Sequence, residues 1–261
     1  MLLIMRRART FFYRDIVVRF LRHYYVLIHK FHERIYRMYK LTNLHNRFFI
    51  SYDNNNKLLQ LDTSDALTIS WVLKNISSIH PSLCSGFDNT RKLIIDVGAN
   101  DGFLSSNSYN LVRTGWDAVL FEPLPKNFTI LKRLHNVINK NDNQMVLLRN
   151  FAIASQDGTG FLKTKIPGDE CDMQGYLCTD EELDTVRVNT ISVNSLIEKD
   201  IDFSIVLKRA EYIILSIDVE GNDLEVLKAF LAAGITPHLI IIETFRFEQN
   251  TVNRLLELND Y

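Results

Sequence analysis

The run Lys92-Leu-Ile-Ile-Asp96-Val-Gly98-Ala-Asn100-Asp-Gly102 sets a carboxylate at the end of a short apolar stretch, with two glycines close behind it. That is how a parallel strand passes through a tight loop into a helix at a nucleoside-binding edge. Glycines there let backbone N–H groups approach a ligand with no Cβ in the way. The spacing is Gly-x-x-x-Gly, not the Gly-x-Gly-x-x-Gly that cradles a dinucleotide pyrophosphate. An adenosyl ligand without a phosphate fits better, and S-adenosylmethionine is the candidate. Asp96 stands where it can face the ammonium end of the methionine moiety, directly or through water. The alternative is a strand-end residue that caps the loop. Gly98, Asn100 and Gly102 complete this candidate cofactor loop.

Further carboxylates recur at the ends of apolar runs. Glu122 ends Ala118-Val-Leu-Phe and is followed by Pro123. A carboxylate here can accept both ribose hydroxyls; a solvated surface glutamate is the other reading. Asn150 follows the next run and can read the adenine amino group, or simply form a turn. Asp218 and Glu220, in Ile217-Asp-Val-Glu-Gly221, and Glu243, after Leu239-Ile-Ile-Ile, are the candidate catalytic acids. Methyl transfer is an in-line displacement that needs positioning. A hydroxyl acceptor also needs a base within hydrogen-bond reach. Three acids on one rim are also able to hold a divalent cation, but no metal is assigned.

These residues need a scaffold. The chain from residue 92 alternates strand-length apolar runs with helical segments. Strands are expected at 93–97, 118–122, 145–149, 212–218 and 238–243. Helices are expected from Phe103 to about Val112, from Lys126 to Asn139, from Ile191 to about Glu198, from Asp223 to Ala232 and from Asn250 to Leu258. Gln156–Gly160 reads as the turn of a hairpin. Such alternation implies an α/β fold, a parallel sheet with helices on both faces, with ligands bound at the carboxyl ends of the strands. Two terminal strands of a complete sheet of this kind are missing from the pattern, which leaves one apolar edge open to pairing. Upstream, 48–52 and 57–61 read as a hairpin around an Asn-rich turn, followed by a helix from about residue 62 or 64 to 79.

Composition is ordinary for a globular protein: 46% hydrophobic and 23% charged over 261 residues. The net charge of −1 conceals an asymmetry. Residues 1–48 hold eleven Lys/Arg against Asp15 and Glu33, a net +9; the rest carries 19 basic and 29 acidic residues, a net −10. Val17, Phe20, Leu21, Tyr24, Ile28, Phe31, Ile35 and Met38 recur at helical spacing. Residues 11–41 therefore read as a basic amphipathic helix. It can lie on an anionic membrane surface or pack on protein with its arginines solvated. No nucleic-acid module is evident. No apolar run approaches the ~20 residues that span a bilayer. The three cysteines, Cys84, Cys171 and Cys178, make no disulfide framework and suit a reducing compartment. The expected location is cytoplasmic; membrane association through the basic helix is one of that helix's two readings. The sequons at Asn75 and Asn127 carry little weight. The domain reading is an extension at 1–47 and a catalytic domain at 48–261, with its motifs within 92–244.

Taken together and in this order, Asp96-Val-Gly-Ala-Asn-Asp-Gly102, Phe121-Glu-Pro123, Asn150-Phe-Ala-Ile-Ala154, Ile217-Asp-Val-Glu-Gly221 with Glu225 and Leu227, and Ile241-Ile-Glu243 resemble the FkbM-type methyltransferases, a class I S-adenosylmethionine-dependent family. The resemblance implies a Rossmann-like sheet and O-methylation of a hydroxyl on a sugar, glycan or small metabolite. It also implies cofactor roles for Asp96, Gly98 and Glu122 and a rim role for Asp218 and Glu220. Ser216 stands where family members often carry lysine, and the basic helix lies outside the resemblance. A cofactor-binding module with little activity that works through partners is the competing reading. A nicotinamide-dependent oxidoreductase is disfavoured by the glycine spacing.

Overall fold

The computed structural model describes residues 50–52, 58–61, 91–103, 106–113, 115–137, 143–164, 175–178, 185–242 and 249–259. The basic segment 11–41 and the helix expected after residue 62 lie outside the described residues.

Strands β1 (Ile50–Tyr52) and β2 (Leu58–Leu61) pair antiparallel, as the hairpin pattern anticipates. The centre of the molecule is a five-stranded parallel sheet. Its strands are β3 (Lys92–Val97), β4 (Asp117–Phe121), β5 (Val146–Arg149), β10 (Tyr212–Ile217) and β11 (Leu239–Ile242), in the order β11-β10-β3-β4-β5. The chain therefore runs outward from β3 through β4 to β5, then returns to the other side of β3 to add β10 and β11. The order reverses between β3 and β10, and a crevice opens at the carboxyl ends of the strands at such a point.

Alternation along the strands fills two cores, because successive side chains leave a strand on opposite faces. Ile94, Ala118, Leu120 and Ile214 face α1 (Tyr109–Arg113) and α2 (Pro125–Val137), packing with Tyr109, Leu111, Leu131 and Leu134. Leu93, Ile95, Val119, Phe121, Ile213 and Leu215 face the other way. They meet α3 (Val193–Lys199), α4 (Ile201–Arg209), α5 (Asp223–Ala232) and α6 (Gln249–Glu257) through Leu196, Phe203, Val206, Leu227, Phe230 and Val252. Burying side chains of this size contributes roughly 1.5–3 kcal/mol each. Helices thus cover both faces. Among the described residues α6 is the last element, and no sixth strand joins the sheet.

Helix ends follow local chemistry. Pro125 opens α2, where its missing N–H costs nothing. Ser192 and Asp200 cap α3 and α4 by accepting from the amides of Ser195 and Phe203. Helix α5 ends in a Schellman arrangement, with Ile235 N donating to Phe230 O and Gly234 N to Leu231 O, at Gly234 with φ +76°.

Two expectations need correction. The helix anticipated from Phe103 is only α1, beginning at Tyr109. The Asp101 carboxylate accepts from Phe103 N, and Ser106 Oγ accepts from the amides of Ser108 and Tyr109. Side chains thus take amides that a helix would use, and the helix starts later. The segment around Gln156–Gly160 does not join a hairpin of its own. Strand β6 (Ala152–Ile153) pairs parallel with β9 (Thr185–Ile191), while β7 (Gly158–Lys163) pairs antiparallel with both β9 and β8 (Tyr176–Cys178). This second sheet, ordered β6-β9-β7-β8, went unread in the sequence, and so did α4.

Arg149, at the end of β5, ties this insertion to the main sheet. It donates to both oxygens of Asp200, Nε at 2.5 Å and Nη2 at 2.9 Å, and Asp200 in turn caps α4. The guanidinium holds the Asp200 carboxyl below the usual carboxylate range. A lowered folded-state value adds stability above the unfolded value, and that stability is lost as pH falls through the folded one. Arg149→Met is therefore expected to cost about 1–2 kcal/mol at pH 7, allowing for partial solvent screening. The cost should shrink as pH falls below the ordinary carboxylate value toward the lowered folded one. Denaturant titrations of both proteins at pH 7 and pH 3 check this.

Candidate active site

The loops that follow β3, β4 and β10 meet at the sheet's reversal point and form one wall of a cleft of about 620 Å³. The second sheet and the segment after β5 form the other, through Phe151, Ala152, Ile153, Leu162, Gly175 and Leu177. Small-molecule sites have this mixture of apolar wall and few polar groups.

Gly98, at φ +91°, makes the close approach between two of these loops possible. A Cβ on Gly98 would overlap the backbone carbonyl oxygen of Asp218. The amides of Gly98 and Ala99 both donate to Phe121 O, at 3.0 and 2.9 Å, so the β3 loop is also fastened to the end of β4. The next residue of that loop on the cleft, Asn100, has φ +53°, and its amide donates to Glu122 Oε2 at 2.9 Å.

Glu122 is 4% exposed and lines the cleft. Its Oε1 accepts from Leu124 N at 2.8 Å. Each oxygen thus takes one backbone N–H, and a carboxylate oxygen has two lone-pair sites. The carboxylate is thus oriented from both sides on the cleft wall.

Asp218, exposed, and Glu220, half-buried at φ +59°, also line the cleft, together with Val219 and Asn222. The loop that carries them is held by Asp223, whose two oxygens accept from Val219 N and Gly221 N. Glu243, the third candidate acid, lies outside the described residues. Among the described residues no group of three or more His, Cys, Asp or Glu is arranged to hold a metal ion.

Asp96, Gly102 and Asn150 are not among the cleft-lining residues. Asp96 is 3% exposed, accepts from Ser108 Oγ at 2.6 Å and lies in register with Ser216, whose hydroxyl accepts from Asn107 Nδ2. Burial raises the Asp96 carboxyl above the usual range, and hydrogen bonds from Ser108 and Ser216 only partly offset it. At Gly102, φ +74°, a Cβ would overlap Leu131 Cδ1 of α2, so this glycine serves the packing of a helix. Asn150 donates its side-chain amide to the carbonyls of Glu122 and Pro123, at 2.7 and 3.0 Å. It braces the backbone that carries Glu122.

A raised Asp96 gives a testable pH dependence. Between the unfolded value near 4 and the higher folded value, the unfolded chain releases a proton that the folded chain keeps, so stability falls as pH rises. Asp96→Asn has no proton to lose there. Its stability relative to wild type should rise between pH 4 and pH 8. Chemical denaturation at the two pH values measures the difference.

Sequence reasoning missed the apolar wall, Leu124, Phe151, Ile153, Leu162 and Leu177, and the amides of Asn127 and Asn222. The alternation in Thr185-Val-Arg-Val-Asn-Thr-Ile191 was the available signal for the second sheet that supplies part of it. Asn127 is 1% exposed, which removes its sequon from the surface. His135 is buried, and His238 stacks on Tyr212 while its Nδ1 accepts from Ile213 N. The Cys178 thiol donates to Phe161 O at 3.2 Å. No helix among the described residues is long and apolar enough to cross a membrane.

A family model described as "Methyltransferase FkbM domain" matches residues 96–261, the greater part of the chain. No curated protein and no solved structure gives a significant match.

Proposed function

Because the chain belongs to the FkbM methyltransferase family, we propose that it uses S-adenosylmethionine to methylate a hydroxyl on a sugar, glycan or small metabolite. The observation that carries this reading is Glu122. It is a buried carboxylate on the cleft wall, fixed by two backbone amides and able to accept one ribose hydroxyl on each oxygen. The cleft suits the cofactor in its other parts as well. Its apolar side, Leu124, Phe151, Ile153 and Leu162, fits a flat purine, and its acidic loop fits a sulfonium and an ammonium group.

When bound, the cofactor supplies a methyl group on a positively charged sulfur that departs as a neutral thioether. The chain's own residues do the rest. Glu122 fixes the sugar and with it the direction of the donor. Asp218 or Glu220 takes the hydroxyl proton of the acceptor as the new carbon–oxygen bond forms. Holding donor and acceptor in line is the larger part of the work in a displacement of this kind. The base contributes typically 10²–10⁴-fold. Asp96, Gly102 and Asn150 support the loops.

Incubation with labelled methyl donor and a panel of glycosides, glycans and hydroxylated metabolites tests the reading. The expected product carries the label in an alkali-stable methyl ether. Label on nitrogen or on a carboxyl group would overturn the O-methyl assignment. Tight binding of S-adenosylhomocysteine without transfer to any acceptor would favour the partner-binding module instead.

A further inference from the structure

The loop that carries the two acidic candidates has an unusual backbone. Glu220 and Gly221 follow one another at φ +59° and +127°. A non-glycine residue at positive φ persists only where its surroundings hold it. The holder is Asp223, the first residue of α5 and 1% exposed. Its Oδ1 accepts from Val219 N at 2.9 Å and its Oδ2 from Gly221 N at 2.8 Å. An acidic residue in the first turn of a helix commonly serves that helix. Here both oxygens reach back to the loop, and Asn222, at the cap position, makes no side-chain cap bond. The two amides that Asp223 takes flank Glu220 and follow Asp218. Fixing them sets the backbone from which both carboxylates project on the cleft wall. On its far side the same loop rests against Gly98, through the Asp218 carbonyl.

We propose that Asp223 is a positioning residue that preforms the Asp218–Asn222 wall, so that cofactor and acceptor meet it already in its bound shape. This rests on the assignment of that loop to the methyltransferase site. A ligand that meets a preformed wall does not spend binding energy on ordering it. Without Asp223 the loop samples other shapes, and apparent affinity falls by the fraction of time the competent shape is lost. Asp223→Asn is the sharpest change. It keeps size and one acceptor, but turns an NH₂ group toward an amide that needs an oxygen.

Hydrogen exchange and calorimetric titration with S-adenosylhomocysteine, on wild type, Asp223→Asn and Asp223→Glu, decide the matter. In the Asn variant, exchange at residues 219–222 should quicken at least tenfold while the amides of β10 keep their protection. Affinity should fall about tenfold, and saturating S-adenosylhomocysteine should restore the lost protection. Asp223→Glu, which keeps both oxygens, should recover part of each effect. Exchange and affinity at wild-type values in the Asn variant would overturn the proposal. So would protection lost from the loop and β10 together in both variants, since that marks a residue serving only the fold. If wild type does not bind S-adenosylhomocysteine, the cofactor reading fails. Exchange in the ligand-free proteins then still decides whether Asp223 holds the loop.

Discussion

Glu122→Ala is expected to lower affinity for S-adenosylhomocysteine about 100-fold. Two hydrogen bonds to a carboxylate, each roughly 1.5–3 kcal/mol, would be lost from the sugar, and every 1.4 kcal/mol is a tenfold change. The same substitution strands the amides of Asn100 and Leu124, which now donate to the carboxylate. Each orphaned amide costs about 1–3 kcal/mol, so the protein should also lose about 2–6 kcal/mol of stability. Glu122→Gln separates the two effects. It retains one oxygen for the loop, so its stability cost should be smaller, while affinity still falls by at least about tenfold because the charge is gone. Calorimetric titration and thermal melts of both variants read the two quantities independently. Affinity at the wild-type level in both would remove Glu122 from the site.

Gly98→Ala is expected to be among the most damaging single changes in the chain. The left-handed backbone of this residue costs an L-residue roughly 1–2 kcal/mol by itself. The larger part comes from the overlap of the new methyl with the Asp218 carbonyl, which is backbone and can yield only if the whole loop moves. We expect a stability loss of at least about 3 kcal/mol and loss of cofactor binding, because the β3 and β10 loops, which share one wall of the cleft, can no longer pack against one another. Gly234 supplies the control. It is also left-handed, φ +76°, but nothing lies within 4 Å of its absent Cβ. Gly234→Ala should cost only the backbone strain, about 1 kcal/mol, and leave binding intact. Equal effects of the two substitutions would show that strain, not the contact between loops, sets the requirement for glycine at position 98.

The parallel sheet was legible in the sequence because its strands are buried on both faces and read as apolar runs, as in Leu93–Ile95 and Ile213–Leu215. Pro123 and the glycines marked where those runs stop. Helix α5 was legible from its spacing and its acidic first turn. The second sheet escaped because its strands are half-exposed, β6 and β8 are only two and three residues long, and β6 joins β9 across more than thirty residues of chain. No local pattern reports a pairing of that range.

Within the site, residue type was more legible than direction. Carboxylates at strand ends were found, but which face of the sheet each one points to depends on strand parity. Asp96 shares its face with Ile94, toward α1 and α2, and so lies behind the loop. Glu122 lies just past the last paired residue, Phe121, where the chain turns toward the cleft. The two glycines of the motif likewise part company: Gly98 admits a neighbouring loop, and Gly102 admits a helix. Asp223 was read only as the start of α5. Its backward reach to Val219 and Gly221 follows from a positive-φ turn that no spacing rule announces.

A crystal structure of the protein with S-adenosylhomocysteine bound tests the central claim most directly. The account predicts the ribose hydroxyls on the two oxygens of Glu122, the purine against Phe151 and Leu162, and the sulfur beside the Asp218–Glu220 loop. A ligand held elsewhere, or one in this cleft whose sugar lies away from Glu122, would contradict it.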